Sequence, residues 1–284
     1  MIEKPRKAWI AGLLNFLAVG LGHFYAGGFK KALFLFFIIQ GTLIAIILIL
    51  ILKTPNAFVL FIALTAGFLF FIYCVVDAVK LSKVNKQYIV KPYNRWYYYL
   101  LYWVIASFII QPLVSTTIKR NIVQAFKIPS GSMLPTIQIG DFIITKTKIF
   151  IKNNLTYGDI VVFPWPKNPS KDFIFRIIAL GGDEIEIKNK KVYLNGNYIE
   201  EPYIINRDSK ILDSKDFARD NFGLMKIPND CIFVMGDNRD ESNDSRFWGC
   251  VKKSSVKGRA YFIYWSWDNL KWNVRWDRLG KIFL

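Results

Sequence analysis

Histidine is nearly missing from this sequence. Its 284 residues include one, His23, in an apolar N-terminal segment. A serine that attacks a carbonyl must pass its proton to a base, and histidine is the commonest base. For a nucleophile in the C-terminal half the lone histidine lies more than a hundred residues upstream, and the membrane orientation read below puts it on the cytoplasmic side, out of reach. Cysteine is scarce as well. Cys74 falls in an apolar run and packs there. Cys231 and Cys250 fall in the C-terminal half, where an oxidising compartment permits a disulfide. Their spacing does not say whether they meet. Acid is outnumbered, with 21 Asp and Glu against 38 Lys and Arg, a formal charge of +17. No internal repeat, low-complexity tract or metal-ligand cluster stands out, and the C-terminal half has no long amphipathic helix.

Apolar residues are abundant, at 53% of the chain. Three windows, Ala32–Leu52, Ala57–Val79 and Trp96–Ile118, approach the roughly 20 apolar residues that cross a bilayer. Residues 1–118 thus read as an all-α, multi-span membrane region. The segment Lys4–Ala26 is short and glycine-containing, and reads as a fourth span, a re-entrant turn or an interfacial helix. No small-x-small site in it leads into a polar mature domain, as cleavage of a signal peptide would require. Orientation follows the basic, acid-free loop Lys80–Arg95, which belongs in the cytoplasm. The loop around Lys53 and everything after Lys119 are then outside. An exported C-terminal half argues against nucleic acid as the partner of the basic charge. Anionic lipid is the better partner, at about 1 kcal/mol per basic residue near the surface.

Residues 119–284 read as a mostly β domain. "DFIITKTKIFI", "DIVVFPW", "DFIFRIIAL", "DEIEIK", "KVYLNGNYI", "CIFVMGD" and "RAYFIYWSW" are short strand-like runs bounded by turn residues. Asn195-Gly196 predicts a hairpin turn, since both positions tolerate positive φ. The polar stretch Asn206–Asp230 reads as a loop excursion. Trp265, Trp267, Trp272 and Trp276, interleaved with Lys and Arg, suit a membrane interface or strand packing. Two stretches carry chemistry. In "IPSGSMLPT", Gly131 bends the chain between Pro129 and Pro135 and presents Ser132 at a stiff turn with backbone N–H groups free to face an oxyanion. In "VMGDNRDESNDSRFWG", Val234–Gly249, acids and arginines alternate around Asn238, Ser242 and Ser245, and Asp–Arg pairs can brace the loop from within.

The motifs "SGSMLPT", "YGDIVVFPWP", "FRIIALGGD" and "GDNRDESNDSRFWG" occur in the order found in bacterial type I signal peptidases. Residues 121–284 resemble that family, and "GLLNFLAVGLGHFYAGGFKKALF" separately resembles the two-helix TM2-type membrane module. The first resemblance implies a signal-peptidase fold in the bacterial cytoplasmic membrane, with the C-terminal domain on the extracytoplasmic side and exported preproteins and their signal peptides as substrates. It implies no cofactor and no metal. It implies Ser132 as nucleophile, with Ser130 and the Ser132 N–H as oxyanion hole. Ser242 would orient the general base, and Asp237, Asp244 and Arg246 would form the supporting network. Ile128, Ile137 and Ile174 would line the pockets for small side chains of an Ala-x-Ala site.

The family's base is a neutral lysine, and at its position this sequence has Phe175, followed by Arg176 and an altered "ALGGD" at Ala179–Asp183. Arg176 stays protonated at any working pH. Lys171 shares a strand face with Phe175, but four strand residues span about 13 Å. Asp237 or Asp244 would need burial to raise its pKa, against the pull of a neighbouring arginine. Lys146, on the strand after the serine turn, is the preferred substitute. Two functions are consistent with this pattern: a membrane-bound serine endopeptidase that cleaves after a small-x-small site, or a non-catalytic relative that binds signal peptides or exported chains.

Overall fold

A computed structural model describes residues 5–52, 57–85, 89, 91–147, 155–212 and 218–283. The chain separates into two compact units, Met1–Lys119 and Arg120–Leu284. The loop around Lys53, the end of the run "DFIITKTKIFI" (residues 148–151) and residues 213–217 lie outside the described residues.

The N-terminal unit begins with two short helices, α1 (Ala8–Leu17) and α2 (Leu21–Tyr25). Neither reaches the length of a span. Asn15 holds the turn between them: its Oδ1 accepts from the Gly20 and Gly22 N–H groups, and its Nδ2 donates to the Cys74 carbonyl. Helices α3 (Phe29–Leu52), α4 (Ala57–Val84) and α5 (Trp96–Asn121) follow. All three are long and apolar enough to cross a membrane. Their exposed faces carry Phe34, Phe61, Phe68 and Phe108. Helix α5 loosens to π-type spacing over Ile105–Ile110, just before Pro112. Proline has no N–H to give and crowds the carbonyl one turn back, and the wider turn accommodates both. His23 is fully buried and shares the Asp77 carboxylate with Lys31, at 2.8 and 2.7 Å.

The C-terminal unit is two antiparallel sheets. The larger runs β1 (Val123–Lys127), β2 (Asp141–Thr147), β11 (Gly258–Asp268), β3 (Ile160–Trp165), β4 (Asn168–Leu180), β9 (Cys231–Met235) and β10 (Val251–Lys252), with β12 (Asn273–Val274) appended to β11. The smaller runs β7 (Asn197–Tyr198), β6 (Lys191–Leu194), β5 (Glu184–Lys188) and β8 (Phe222–Lys226). Asn195 and Gly196 adopt φ of 52° and 78° and close the β6–β7 hairpin. Strand β8 is a correction, because Asn206–Asp230 reads from sequence as loop. Its Met225 and Phe222 pack on a core supplied by other elements, which its own polar flanks do not announce.

Strands β4 and β9 are buried on both faces. Their alternate residues feed two cores: Phe175, Ile177, Ile232 and Val234 enter one, and Ile178, Ala179, Cys231, Phe233 and Met235 enter the other. Period-two alternation makes this division automatic. A ladder shift between Ile177 and Ala179 bends β4 where the two cores part. At the start of β2 the fully buried Asp141 accepts from Arg278 Nε and Nη2, and from the Ser266 hydroxyl at 2.7 Å. This pair ties the C-terminal segment to the strand that follows the serine turn. Asp141→Ala would strand the buried Arg278 guanidinium without its counter-charge. We expect a loss of about 3–5 kcal/mol in unfolding free energy, checked by urea denaturation of the wild type and variant.

Candidate active site

The serine turn leaves β1 and enters β2. Pro129 and Ser130 are exposed, Ser132 is half-buried, and Met133 and Ile137 are buried. The apolar anchors on one side of the turn hold the serines on the other. The loop after β9 clamps the turn from across the sheet. The Asn238 N–H donates to the Ser132 carbonyl at 3.0 Å, and Asn238 Nδ2 donates to the Gly131 carbonyl at 3.0 Å. The Ser132 hydroxyl donates to the Glu241 carbonyl at 3.5 Å, a long bond.

Beneath this clamp lies a buried ion pair. Arg176 donates from Nε and Nη2 to the two oxygens of Asp237, at 2.9 and 2.7 Å, and from Nη1 to the Gly158 carbonyl. Thr136, in the serine turn, donates its hydroxyl to Asp237 at 2.5 Å. The Arg176 guanidinium lies 3.9 Å from the centroid of the Tyr203 ring. The Tyr203 hydroxyl donates to Glu201, and Glu201 pairs with the buried Arg239. Burial, then the Glu201 carboxylate, pushes the Tyr203 hydroxyl well above the usual tyrosine range. Burial works against the Arg239 charge, yet the Glu201 bonds prevail and raise its pKa. Arg239 Nε returns to the Gly236 carbonyl. A parallel pair, Asp244 with Arg246, accepts the Gly236 N–H and caps the short helix α6 (Ser245–Trp248).

A cavity of about 440 Å³ opens at the turn, and its walls include Ser130, Ser132, Ile128, Ile174 and Phe175. The structure thus brings five of the sequence-predicted site residues together. Asp237, Asp244 and Arg246 stand behind them, all buried. Ser242 is buried beside Gly236, and its Oγ has no hydrogen-bond partner among the described residues. Phe175 is 4% exposed and packs against Phe163 and Phe173.

Two expectations need correction. Ile137 is fully buried in the core and does not line the cavity, because the turn rotates its side chain inward beside Met133. Lys146 does not line it either. Its strand register pairs it with Val123 and Arg259, and its ammonium sits 3.5 Å from the Tyr261 ring centroid. Burial, then the Arg259 charge, lowers its pKa, but the amine is spent on that ring. The ionisable side chains on the cavity wall are Lys127, Lys171 and Asp172, and Asp172 pairs with Lys257. Sequence reasoning misses Arg176, Thr136, Asn238 and the Glu201–Arg239 pair. Arg176 carries a signal, as an arginine inside an otherwise apolar strand, whereas nothing in the spacing points to Glu201.

Residues 100–265 match the family described as signal peptidase, peptidase S26. A signal peptidase I of Aquifex aeolicus (strain VF5) is 34% identical over 200 residues, covering 52% of this chain and 78% of that protein. One from Pseudomonas fluorescens is 28% identical over 252 residues, covering 72% and 84%. Among solved structures, a signal peptidase I from Enterococcus faecalis V583 is 30% identical, covers 37% of this chain and 95% of that one, and superposes with a TM-score of 0.31.

Gly236 is the tightest joint of the site. A Cβ there would lie 2.3 Å from Ser242 Oγ and 2.4 Å from the Ser132 carbonyl oxygen. Gly236→Ala should therefore push the serine turn off the Asn238 clamp. Hydrogen exchange at the Asn238 amide should accelerate, while amides of the β5–β6 ladder keep their protection.

Proposed function

The chain belongs to the signal peptidase family, peptidase S26, a family of membrane-anchored serine endopeptidases that cleave signal peptides, and within that activity we propose that Ser132 is the nucleophile. The observation that carries this reading is the clamp from Asn238, which holds Ser132 and Ser130 on the wall of an open, mostly apolar cleft. Ser132 Oγ attacks the carbonyl after a small-x-small site. The Ser130 hydroxyl and the Ser132 N–H stabilise the oxyanion. Collapse releases the mature chain and leaves an ester on Ser132, which water then hydrolyses. Ile128 and Ile174 border the cleft and favour small side chains there. Asp237, Asp244 and Arg246 hold the loop, and with them Arg176 and Thr136.

The position of the proton acceptor is filled by Phe175. A hydrocarbon ring takes no proton, and the buried Ser242 hydroxyl has no hydrogen-bond partner among the described residues. Stripped serine proteases keep roughly 10³–10⁴-fold acceleration from oxyanion stabilisation and binding alone. We therefore read the wild type as a slow peptidase. The Phe175 ring and the orphaned Ser242 hydroxyl also favour a second reading, a cleft that binds signal peptides without cutting them.

The membrane anchor is read as multi-pass, with the β domain on the extracytoplasmic side. The basic, acid-free loop Lys80–Arg95 supports that orientation. Anionic lipid is proposed as the surface partner, and the exposed Trp272 and Trp276 beside the exposed Lys271 support it.

The test uses full-length protein in detergent and a preprotein with an Ala-x-Ala site. Ser132→Ala should abolish cleavage. Phe175→Lys should raise the rate by about 10²–10⁴-fold. The gain should grow with pH, because only the neutral amine accepts a proton. Adding Ser242→Ala to Phe175→Lys should remove most of it. Wild-type cleavage that survives Ser132→Ala would refute the assignment of the nucleophile. An inert wild type that still binds a signal peptide would establish the second reading.

A further inference from the structure

Cys231 opens β9 and is buried, while Cys250 sits immediately before β10 and is half-buried. The β9–β10 register pairs Cys231 with Lys252 and Ile232 with Val251. Continued by one step, it sets Cys250 on the same face as Cys231, diagonally across the two strands. The ladder ends at Val251, so Cys250 is not held by it. Both cysteines pack against the core under the smaller sheet. Both are free thiols in the structure. The segment between them, residues 232–249, contains Asp237, Asn238, Ser242 and Asp244.

We propose that Cys231 and Cys250 form a redox site that closes to an intramolecular disulfide outside the cytoplasm and staples the base of the active-site loop. The choice of compartment rests on the topology proposed above. The natural oxidant class is a disulfide, small-molecule or protein-borne. The half-buried Cys250 is the sulfur it reaches. The Cys250 thiolate attacks one sulfur of the oxidant, forming a mixed disulfide and expelling one thiolate. Cys231 then gives up its proton to water, and its sulfur displaces the second thiolate. Two protein thiols lose two electrons, one external disulfide gains them, and the two protons end on the released thiols. Burial, then the neighbouring Cys250 thiol, pushes the Cys231 thiol up to about 12. Cys231 is thereby kept from outside reagents and reacts once its partner is charged with a leaving group. Closure needs the two sulfurs to approach to about 2.05 Å, a movement that a residue beyond the strand end permits.

The experiment takes the full chain in detergent, treats it with oxidised glutathione or with dithiothreitol, and maps peptides without reduction. A cross-linked Cys231–Cys250 peptide pair is expected after oxidation, with Tm raised by about 5–10 °C. Cys250→Ser and Cys231→Ala should each remove both effects. Separate glutathionylation of the two cysteines, or two free thiols, would overturn the proposal. In cells, thiols are trapped with iodoacetamide before lysis, and exposed Tyr198 is replaced in a second strain, Tyr198→Cys, for labelling by an impermeant maleimide. A bridge in cells with external labelling of that variant is the expected result. External labelling without a bridge overturns the redox site itself. Failure to label from outside overturns the topology, and the bridge in the cell falls with it.

Discussion

Asp237 is the charge around which the cleft is assembled. A lone carboxylate buried this deeply costs several kcal/mol, so its partners have to arrive together. Arg176 comes from β4, Thr136 from the serine turn, and Asp237 itself from the loop after β9. None of the three segments is adjacent in sequence. Their meeting fixes where the next residue, Asn238, can hand its N–H to the Ser132 carbonyl. The pair therefore acts less as a source of net stability than as a locator. Tyr203, Glu201 and Arg239 close the circuit back to the Gly236 carbonyl, so the position of the serine is determined from two directions.

Phe175 and Arg176 are neighbours on β4, and a strand sends neighbours to opposite faces. The face that carries Arg176 keeps its whole hydrogen-bond network. The face that carries Phe175 presents a ring packed on Phe163 and Phe173, where the proposed reading expects an amine. Burying an ammonium there would cost desolvation, which is what makes such a lysine a usable base. A phenyl ring carries no such cost and offers no proton acceptor. Core packing and proton transfer thus compete for one position, in the familiar opposition between stability and activity. On that reading, the Ser242 hydroxyl, which has no hydrogen-bond partner among the described residues, is the group the missing amine would have engaged.

Short apolar runs bounded by turn residues are enough to read β4 and β9 as strands, and Asn195-Gly196 is enough to read a hairpin. The serine turn and the acid–arginine loop are equally plain, because each concentrates unusual residues in a few positions. The remainder depends on register between strands distant in sequence. β11 lies between β2 and β3, which turns Lys146 toward Tyr261 and away from the cleft. Ile128 and Ile137 look interchangeable as apolar flanks of the turn, yet one borders the cavity and the other is sealed beneath it. Strand β8 borrows its core from β5 and β9, so its own composition stays loop-like. Glu201 lies 38 residues from the arginine it neutralises, and no local pattern connects them.

Recognition and proton transfer are separable in this cleft. The apolar border, the serine turn and its clamp rely on Ile128, Ile174, Asn238 and Asp237, and none of these needs a base. The Ser132 hydroxyl faces the Glu241 carbonyl, an acceptor that can orient a proton but cannot carry it away. If Ser132 is the nucleophile, as proposed, an extended peptide can be held with its carbonyl there while the step that cleaves it lacks an acceptor. On that assignment turnover is governed by how fast a proton leaves Ser132, and affinity by the rest of the cleft. A single side chain at residue 175 is enough to set the first without disturbing the second.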